Sequence, residues 1–302
     1  MRYQKWLDKN IDDLNDKTII VTGANSGIGY YSTLCFLYKG AKVIMACRNL
    51  EKANKAKRSL LKELPDAKID IIKLDLSDFN SIDEFSKIIK EKYSKIDALV
   101  NNAGVYFMPK VLTKQGYEIT MGTNFLGPYY LTHSLLDILI KNKSTIINVS
   151  SIVHKNAKID FNDFFGDKVN RNKIYARSKL AITSFSYYLS ELLKDKCKVI
   201  TSHPGISATN ILAPKAGGFS VWFSKLGSRF LKIFTHSPFK ASLSIVIGIN
   251  KENKTNTFFG PRILEISGYP KIVKYNKNSI LIKEDLMNKA KELTKKDFSL
   301  LD

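Results

Sequence analysis

Six short runs of aliphatic residues recur along the chain, each separated from the next by an amphipathic stretch of helical length. This alternation limits the fold more than any other feature. The runs are "TIIVTG" (18–23), "AKVIMAC" (41–47), "KIDIIKLDL" (68–76), "DALVNNAG" (97–104), "STIINVSS" (144–151) and "KVITSHPG" (198–205). Helices are expected over 29–40, closed by Gly40, over 51–64, stopped by Pro65, over 80–93, over about 122–141 and over 175–193. Strands that are apolar throughout must be covered on both faces, and helical connections make them parallel. The expected fold is therefore α/β, a doubly wound parallel sheet of the Rossmann type.

No internal repeat or linker divides the 302 residues, so one domain is expected. Residues 1–16 read as an amphipathic lead-in in which Trp6, Leu7, Ile11 and Leu14 can share a face. Residues 206–240 break the rhythm. There "GGFSVWFSKLGSRFLKIF" (217–234) sets Lys225, Arg229 and Lys232 among bulky apolar residues. It can be read as a helix packed on the core, a lid over an apolar substrate, or a face touching a membrane. A tail follows from about 260 to 302.

The net charge of +20 would suit a nucleic-acid ligand. The lysines are scattered through every segment, however, and are not clustered with aromatics, so no nucleic-acid role is expected. Cys35, Cys47 and Cys197 show neither disulfide nor metal spacing, which points to no metal and a reducing, cytoplasmic setting. No run of 18 apolar residues exists, and the first residues lack the apolar stretch of a signal peptide.

Chemistry concentrates at the ends of the runs. "TGANSGIG" places Gly23, Gly27 and Gly29, with Asn25, Ser26 and Ile28 between them, at a strand-to-helix turn. Glycine allows the tight turn and lets backbone N–H groups approach a pyrophosphate at the helix N-terminus. The second run ends in "ACRN", where a carboxylate would ordinarily bind the ribose 2′-hydroxyl of NAD. Neutral Cys47 followed by Arg48 and Asn49 favours a 2′-phosphate, and hence NADP(H). Asp75, followed by Leu76, is placed to accept from an adenine amino group. Asn102, Ala103 and Gly104 leave room for the cofactor.

In "IYARSKL" (174–180), Tyr175 and Lys179 stand four positions apart on one helix face, where an ammonium lowers a phenol's pKa. Taken alone, the pair is either a surface coincidence or a tuned acid and base.

Together these motifs resemble the short-chain dehydrogenase/reductase family in order and interval, over residues 17 to about 210. "ACRN" and the 24-residue gap from Ser151 to Tyr175 are similar to the retinol-dehydrogenase-like branch. "FFGPRILEISGYPK" (258–271) is similar to the tails of bacterial oxidoreductases in that branch. The resemblance implies Tyr175 as general acid/base, with Lys179 lowering its pKa and binding the nicotinamide ribose. Ser151 would hold the substrate oxygen, with Ser150 as the alternative, and Asn124 would anchor a proton-relaying water. Pro204, Gly205 and Thr209 of "HPGISATN" would contact the cofactor, although the residues between depart from the pattern of relatives. The implied function is hydride transfer between NADP(H) and an apolar aldehyde, ketone, retinoid or steroid. The implied partner is a small carbonyl or alcohol, and a peripheral membrane contact is possible through 217–234. The oligomeric state stays open. The competing readings are a catalytically silent NADP-binding regulator and a basic protein binding nucleic acid or membrane surfaces.

Overall fold

Alternate residues along each central strand go to opposite faces of one sheet, as the two-residue period of a strand requires. Ile20, Ile44, Leu99, Ile146 and Val199 enter one buried apolar cluster, and their neighbours Ile19, Val43, Ala98, Ile147 and Ile200 enter another. The computed structural model of the chain describes residues 4–106, 108–205 and 237–298. Its strands are β1 (Thr18–Thr22), β2 (Lys42–Cys47), β3 (Ile69–Lys73), β4 (Ala98–Asn101), β5 (Thr145–Val149), β6 (Lys198–Ser202), β7 (Thr257–Ile263) and β8 (Ser267–Ile272). They lie in the order β3-β2-β1-β4-β5-β6-β7-β8. The first seven are parallel, and β8 alone runs antiparallel, paired with β7. The order reverses between β1 and β4, where ligands bind in open sheets of this kind.

Helix α1 (Gln4–Asn10) is the first described element; Leu7, Ile11 and Leu14 are buried and Trp6 packs beside them. Helices α2 (Gly27–Tyr38) and α3 (Leu50–Glu63) lie on that same face, and α4 (Phe79–Lys92) lies on the other.

The helix expected over 122–141 is broken. Residues Ile119–Met121 form a short α5, Gly122–Leu126 a π turn, Gly127–Ser134 α6 and Leu136–Lys141 α7. Gly127 lies so close to β3's exit that a Cβ there would stand 2.4 Å from the Leu76 carbonyl oxygen. Such π turns are often found at functional sites.

The helix bearing Tyr175 is α8 (Arg171–Leu192), started four residues before the expected Tyr175 by Asn170, whose side chain accepts from the Lys173 N–H. The helix α9 (Pro238–Val246) and the C-terminal α10 (Lys277–Leu281) and α11 (Lys283–Thr294) complete the layers.

Strands β7 and β8 were not expected, because Pro261 and Pro270 interrupt the apolar pattern. Both prolines sit opposite each other in the hairpin at the sheet's edge, where a missing N–H is tolerated. The lid expected over 206–240 and Thr209 lie outside the described residues, except for 237–240, which start α9. Among the described residues no helix is long and apolar enough to cross a membrane.

Candidate active site

A cleft of about 700 Å³ opens over the carboxyl ends of the strands. Thr22 ties its two lips together. Its hydroxyl donates to the Val100 carbonyl at 3.2 Å and accepts from the N–H groups of Asn102 (3.0 Å) and Ala103 (2.9 Å). Asn102 returns a bond from Nδ2 to the Thr22 carbonyl at 2.8 Å. The glycine turn is built around this staple. Gly23 and Gly27 have φ of +67° and +55°, and a Cβ on Gly29 would stand 2.4 Å from the Gly23 oxygen. A side chain at Gly29 would therefore displace the turn. Asn25, Ser26, Gly27, Ile28 and Gly29 all line the cleft, and the Ser26 side chain leaves the α2 N-terminus uncapped.

One end of the cleft is cationic. Arg48, Asn49 and Lys52 line it, with the Asn49 side chain capping α3 by accepting from the Lys52 N–H at 2.8 Å. Lys52 escaped the sequence reading because helix-surface lysines abound in this chain; its position one turn after Arg48 was the available signal. Cys47 is turned under the glycine turn, where it takes backbone hydrogen bonds from Ala24 and Asn25. Burial pushes its thiol up to about 11, so it stays neutral.

Asp75 is less available than expected. One carboxylate oxygen accepts from the Ser77 N–H (2.9 Å) and hydroxyl (2.6 Å), and the other lies 4.0 Å from Arg48 Nε. It orders the loop after β3 and faces the guanidinium. Leu76, Ala103 and Gly104 line the cleft beside it.

The other end holds Tyr175, Lys179 and Pro204. Lys179 is buried, with Nζ donating to the Val149 carbonyl at 2.9 Å and lying 5.8 Å from the centre of the Tyr175 ring. Burial pulls the Lys179 ammonium down to about 8. The expected lowering of the Tyr175 pKa is not found among the protein's own groups. Burial pushes the phenol up to about 12, against a hydrogen bond with the Ser151 side chain that lowers it. Desolvation is the dominant cause, and the Lys179 ammonium is directed at the Val149 carbonyl.

Ser150 lines the cleft beside Val149, but Ser150 and Ser151 differ in their partners. The Ser150 hydroxyl is buried, donating to the Lys179 carbonyl at 3.0 Å and contacting Thr183 Oγ1 at 2.6 Å, whereas Ser151 meets the phenol.

Asn124 stands in the π turn with both of its amide donors engaged. Nδ2 donates to the Val105 carbonyl (2.9 Å) and Ser178 Oγ (3.0 Å), and Oδ1 accepts from the Val105 N–H (2.7 Å). Its side chain thus pins the loop after β4 to α8 and has no donor left for a water. A Cβ on Gly104 would lie 3.1 Å from Asn124 Oδ1 and 3.5 Å from Lys179 Nζ, so a side chain here would press on the Asn124 amide beside Lys179. Tyr106, not singled out in the sequence, lines the cleft, stacks edge-on against Tyr175 at 4.8 Å and bonds Asn172 at 3.0 Å. Gly205 lies behind the wall, its N–H donating to His203 Nδ1 at 3.3 Å.

A glycine cradle and a cationic rim at one end, with a phenol and an ammonium at the other, fit a nicotinamide dinucleotide. A family model described as short chain dehydrogenase matches residues 17–217. Retinol dehydrogenase 13 of Homo sapiens is 39% identical over 199 residues, which cover 65% of this chain and 60% of that protein. The match therefore spans less than two thirds of the relative's length. A crystal structure of an uncharacterized protein from Mycobacterium Paratuberculosis superposes with a TM-score of 0.78 at 26% identity, covering 96% of this chain and 97% of that one. A short chain dehydrogenase from Escherichia coli CFT073, complexed with NADPH, gives a TM-score of 0.54 at 26% identity, over 65% of this chain and 79% of that one.

Proposed function

The chain belongs to the short-chain dehydrogenase/reductase family, in its retinol-dehydrogenase-like branch, and from that premise we propose that it interconverts an apolar carbonyl compound and its alcohol with NADP(H). The observation that carries the proposal is the single cleft joining Arg48 and Lys52 at one end to Tyr175 and Lys179 at the other. The retinol dehydrogenase name of the relative supports a substrate of retinoid-like apolarity.

The glycine turn would hold the pyrophosphate through backbone N–H groups, and Arg48 with Lys52 would hold the 2′-phosphate. When bound, the nicotinamide supplies the hydride. The chain's own part is to manage the proton. Tyr175, held up at about 12, keeps its proton at neutral pH and releases it only as negative charge builds on the substrate oxygen. Ser151, beside the phenol, would orient that oxygen. Lys179, still protonated at pH 7, is the cation nearest the phenolate that proton release leaves. Asn124 positions the loop and helix that carry these groups.

A panel of aldehydes, ketones and retinoids incubated with NADPH, followed by loss of its absorbance, tests the reading. Turnover of the apolar members is expected. No turnover in either direction with either nicotinamide cofactor would sink it.

A further inference from the structure

The segment "FFGPRILEISGYPK" has no part in the cleft, yet its turn sets two adjacent non-glycine residues at positive φ, a pairing found nowhere else among the described residues. Leu264 and Glu265, the two tip residues of the β7–β8 hairpin, both have positive φ (+49° and +59°), and the Ile266 N–H donates to the Ile263 carbonyl at 2.9 Å. Such a turn ordinarily requires Asn-Gly, since a side chain on either residue is disfavoured there. Strain of this kind persists only where the surroundings hold it.

What holds it is the Glu265 carboxylate, which reaches back to two loops at once. Oε2 accepts from His203 Nε2 at 3.1 Å and Oε1 pairs with Lys155 Nζ at 2.7 Å. His203 is wholly buried, and its other nitrogen accepts from the Gly205 N–H. One proton on Nε2 satisfies both contacts, so the carboxylate fixes the tautomer and the ring orientation. Lys155 lies in the helical turn Ile152–Asn156 that follows Ser151, in which His154 Nδ1 donates to the Ser151 carbonyl at 2.7 Å. The space around the clamp is tight. A Cβ on Gly260 would stand 2.3 Å from His203 Nε2, and one on Gly205 would stand 2.3 Å from the Ile266 oxygen.

We propose that Glu265 is a positioning residue: from a strained turn outside the cleft, its carboxylate sets the Ser151–Lys155 turn and the His203–Gly205 loop relative to each other, and so places Ser151 and Pro204 about Tyr175. The proposal rests on the reading of the cleft as a dehydrogenase site. The carboxylate is suited to a permanent clamp. Its hydrogen bond with His203, opposed by burial and aided by Lys155, holds it down at about 2, so it stays ionised at neutral pH. A carboxylate that served only to close the hairpin would need neither loop.

The test compares wild type with L264N and L264N/E265G. Asn-Gly is the dipeptide most at ease in this turn, so the double variant keeps the hairpin and loses only the carboxylate. L264N is expected to keep wild-type kcat for carbonyl reduction. The double variant should lose kcat by at least about tenfold with a smaller change in KM, as for a group that acts through catalytic geometry. In ¹H–¹⁵N spectra of the same samples, the amides of 151–155 and of His203 and Gly205 should shift together while those of β1–β3 stay in place. Wild-type kcat in the double variant would overturn the proposal, and so would unchanged amides in both loops. Loop amides that move in a protein reducing no carbonyl would uphold the positioning role and sink the functional reading instead. If the double variant does not fold, E265Q keeps the side chain's size and removes its charge; it should give the same loop shifts, and an unmoved spectrum would overturn the proposal.

Discussion

Tyr175 and Lys179 titrate in the reverse of the order that a phenol and an ammonium follow in water. With the phenol at about 12 and the ammonium at about 8, Lys179 is the first of the two to change state as pH rises. Carbonyl reduction should therefore hold through neutrality and decline above about pH 8, as the charge that stabilises the departing proton's phenolate is lost. A profile flat to pH 10 would contradict this role for Lys179. Tyr175→Phe keeps the ring and removes the proton, so kcat should fall about 10²- to 10⁴-fold with NADPH affinity retained. In the proposed function Arg48 sets the cofactor preference. Arg48→Ala should weaken NADPH binding by roughly tenfold or more and leave NADH nearly unchanged, because a charge-assisted bond is worth about 1.5–3 kcal/mol. Fluorescence titration with both cofactors checks it. The Asp75 carboxylate 4.0 Å from Arg48 competes for the guanidinium, so Asp75→Asn should raise NADPH affinity.

Among the elements, the turn from β1 into α2 is set by close approach. Gly29→Ala would drive a methyl to within 2.4 Å of the Gly23 oxygen and 2.5 Å of Asn102 Nδ2. The strand-to-helix turn and the Thr22 staple must shift together, so a stability loss of about 1–3 kcal/mol is expected alongside loss of NADPH binding. Urea unfolding measures the first and titration the second. The glycine pattern, the strand positions and the Tyr-x-x-x-Lys face were all legible because each rests on local periodicity or local backbone geometry. The break at Gly122–Leu126 had one local signal, Pro128, which has no N–H to offer the carbonyl four residues back; its form is fixed by tertiary contacts, as Asn124 bonds backbone at Val105 and Gly127 packs on Leu76. The hairpin of β7 and β8 was hidden because its prolines and Leu264–Glu265 turn violate the local rules for strands and turns.

For the molecule as a whole, acid should act in two windows. His154 is buried and held down at about 4, and His203 and His133 are also lowered by burial. A folded pKa below the unfolded value of about 6.5 means that the unfolded chain takes up protons the fold refuses. That part of the stability is intact above about pH 6.5 and is lost as pH falls toward 4, on the order of 3 kcal/mol for His154. Glu265, lowered to about 2, contributes above about pH 4.5 and loses its contribution as pH falls through 2. Urea midpoints at pH 7, 5.5 and 4 should drop for wild type. The drop should be smaller in His154→Asn, which removes the titration and keeps a donor for the Ser151 carbonyl. An equal drop in both proteins would show that His154 is not the group responsible.

The parallel layered architecture, the cleft's position and the identities of Tyr175, Lys179, Arg48 and the glycines follow from the order of residues alone. Each depends on a two- or four-residue spacing or on a glycine's freedom at a turn, and such features are written locally. The different partners of Ser150 and Ser151, the bonds of the Asn124 amide, the Asp75–Arg48 opposition and the raised Tyr175 phenol were decided only in three dimensions. Hydrogen-bond saturation and desolvation depend on which distant segments close over a group. Thr183 satisfies Ser150 from 33 residues away, and burial by the folded chain overrides the local cation that the spacing had set beside Tyr175.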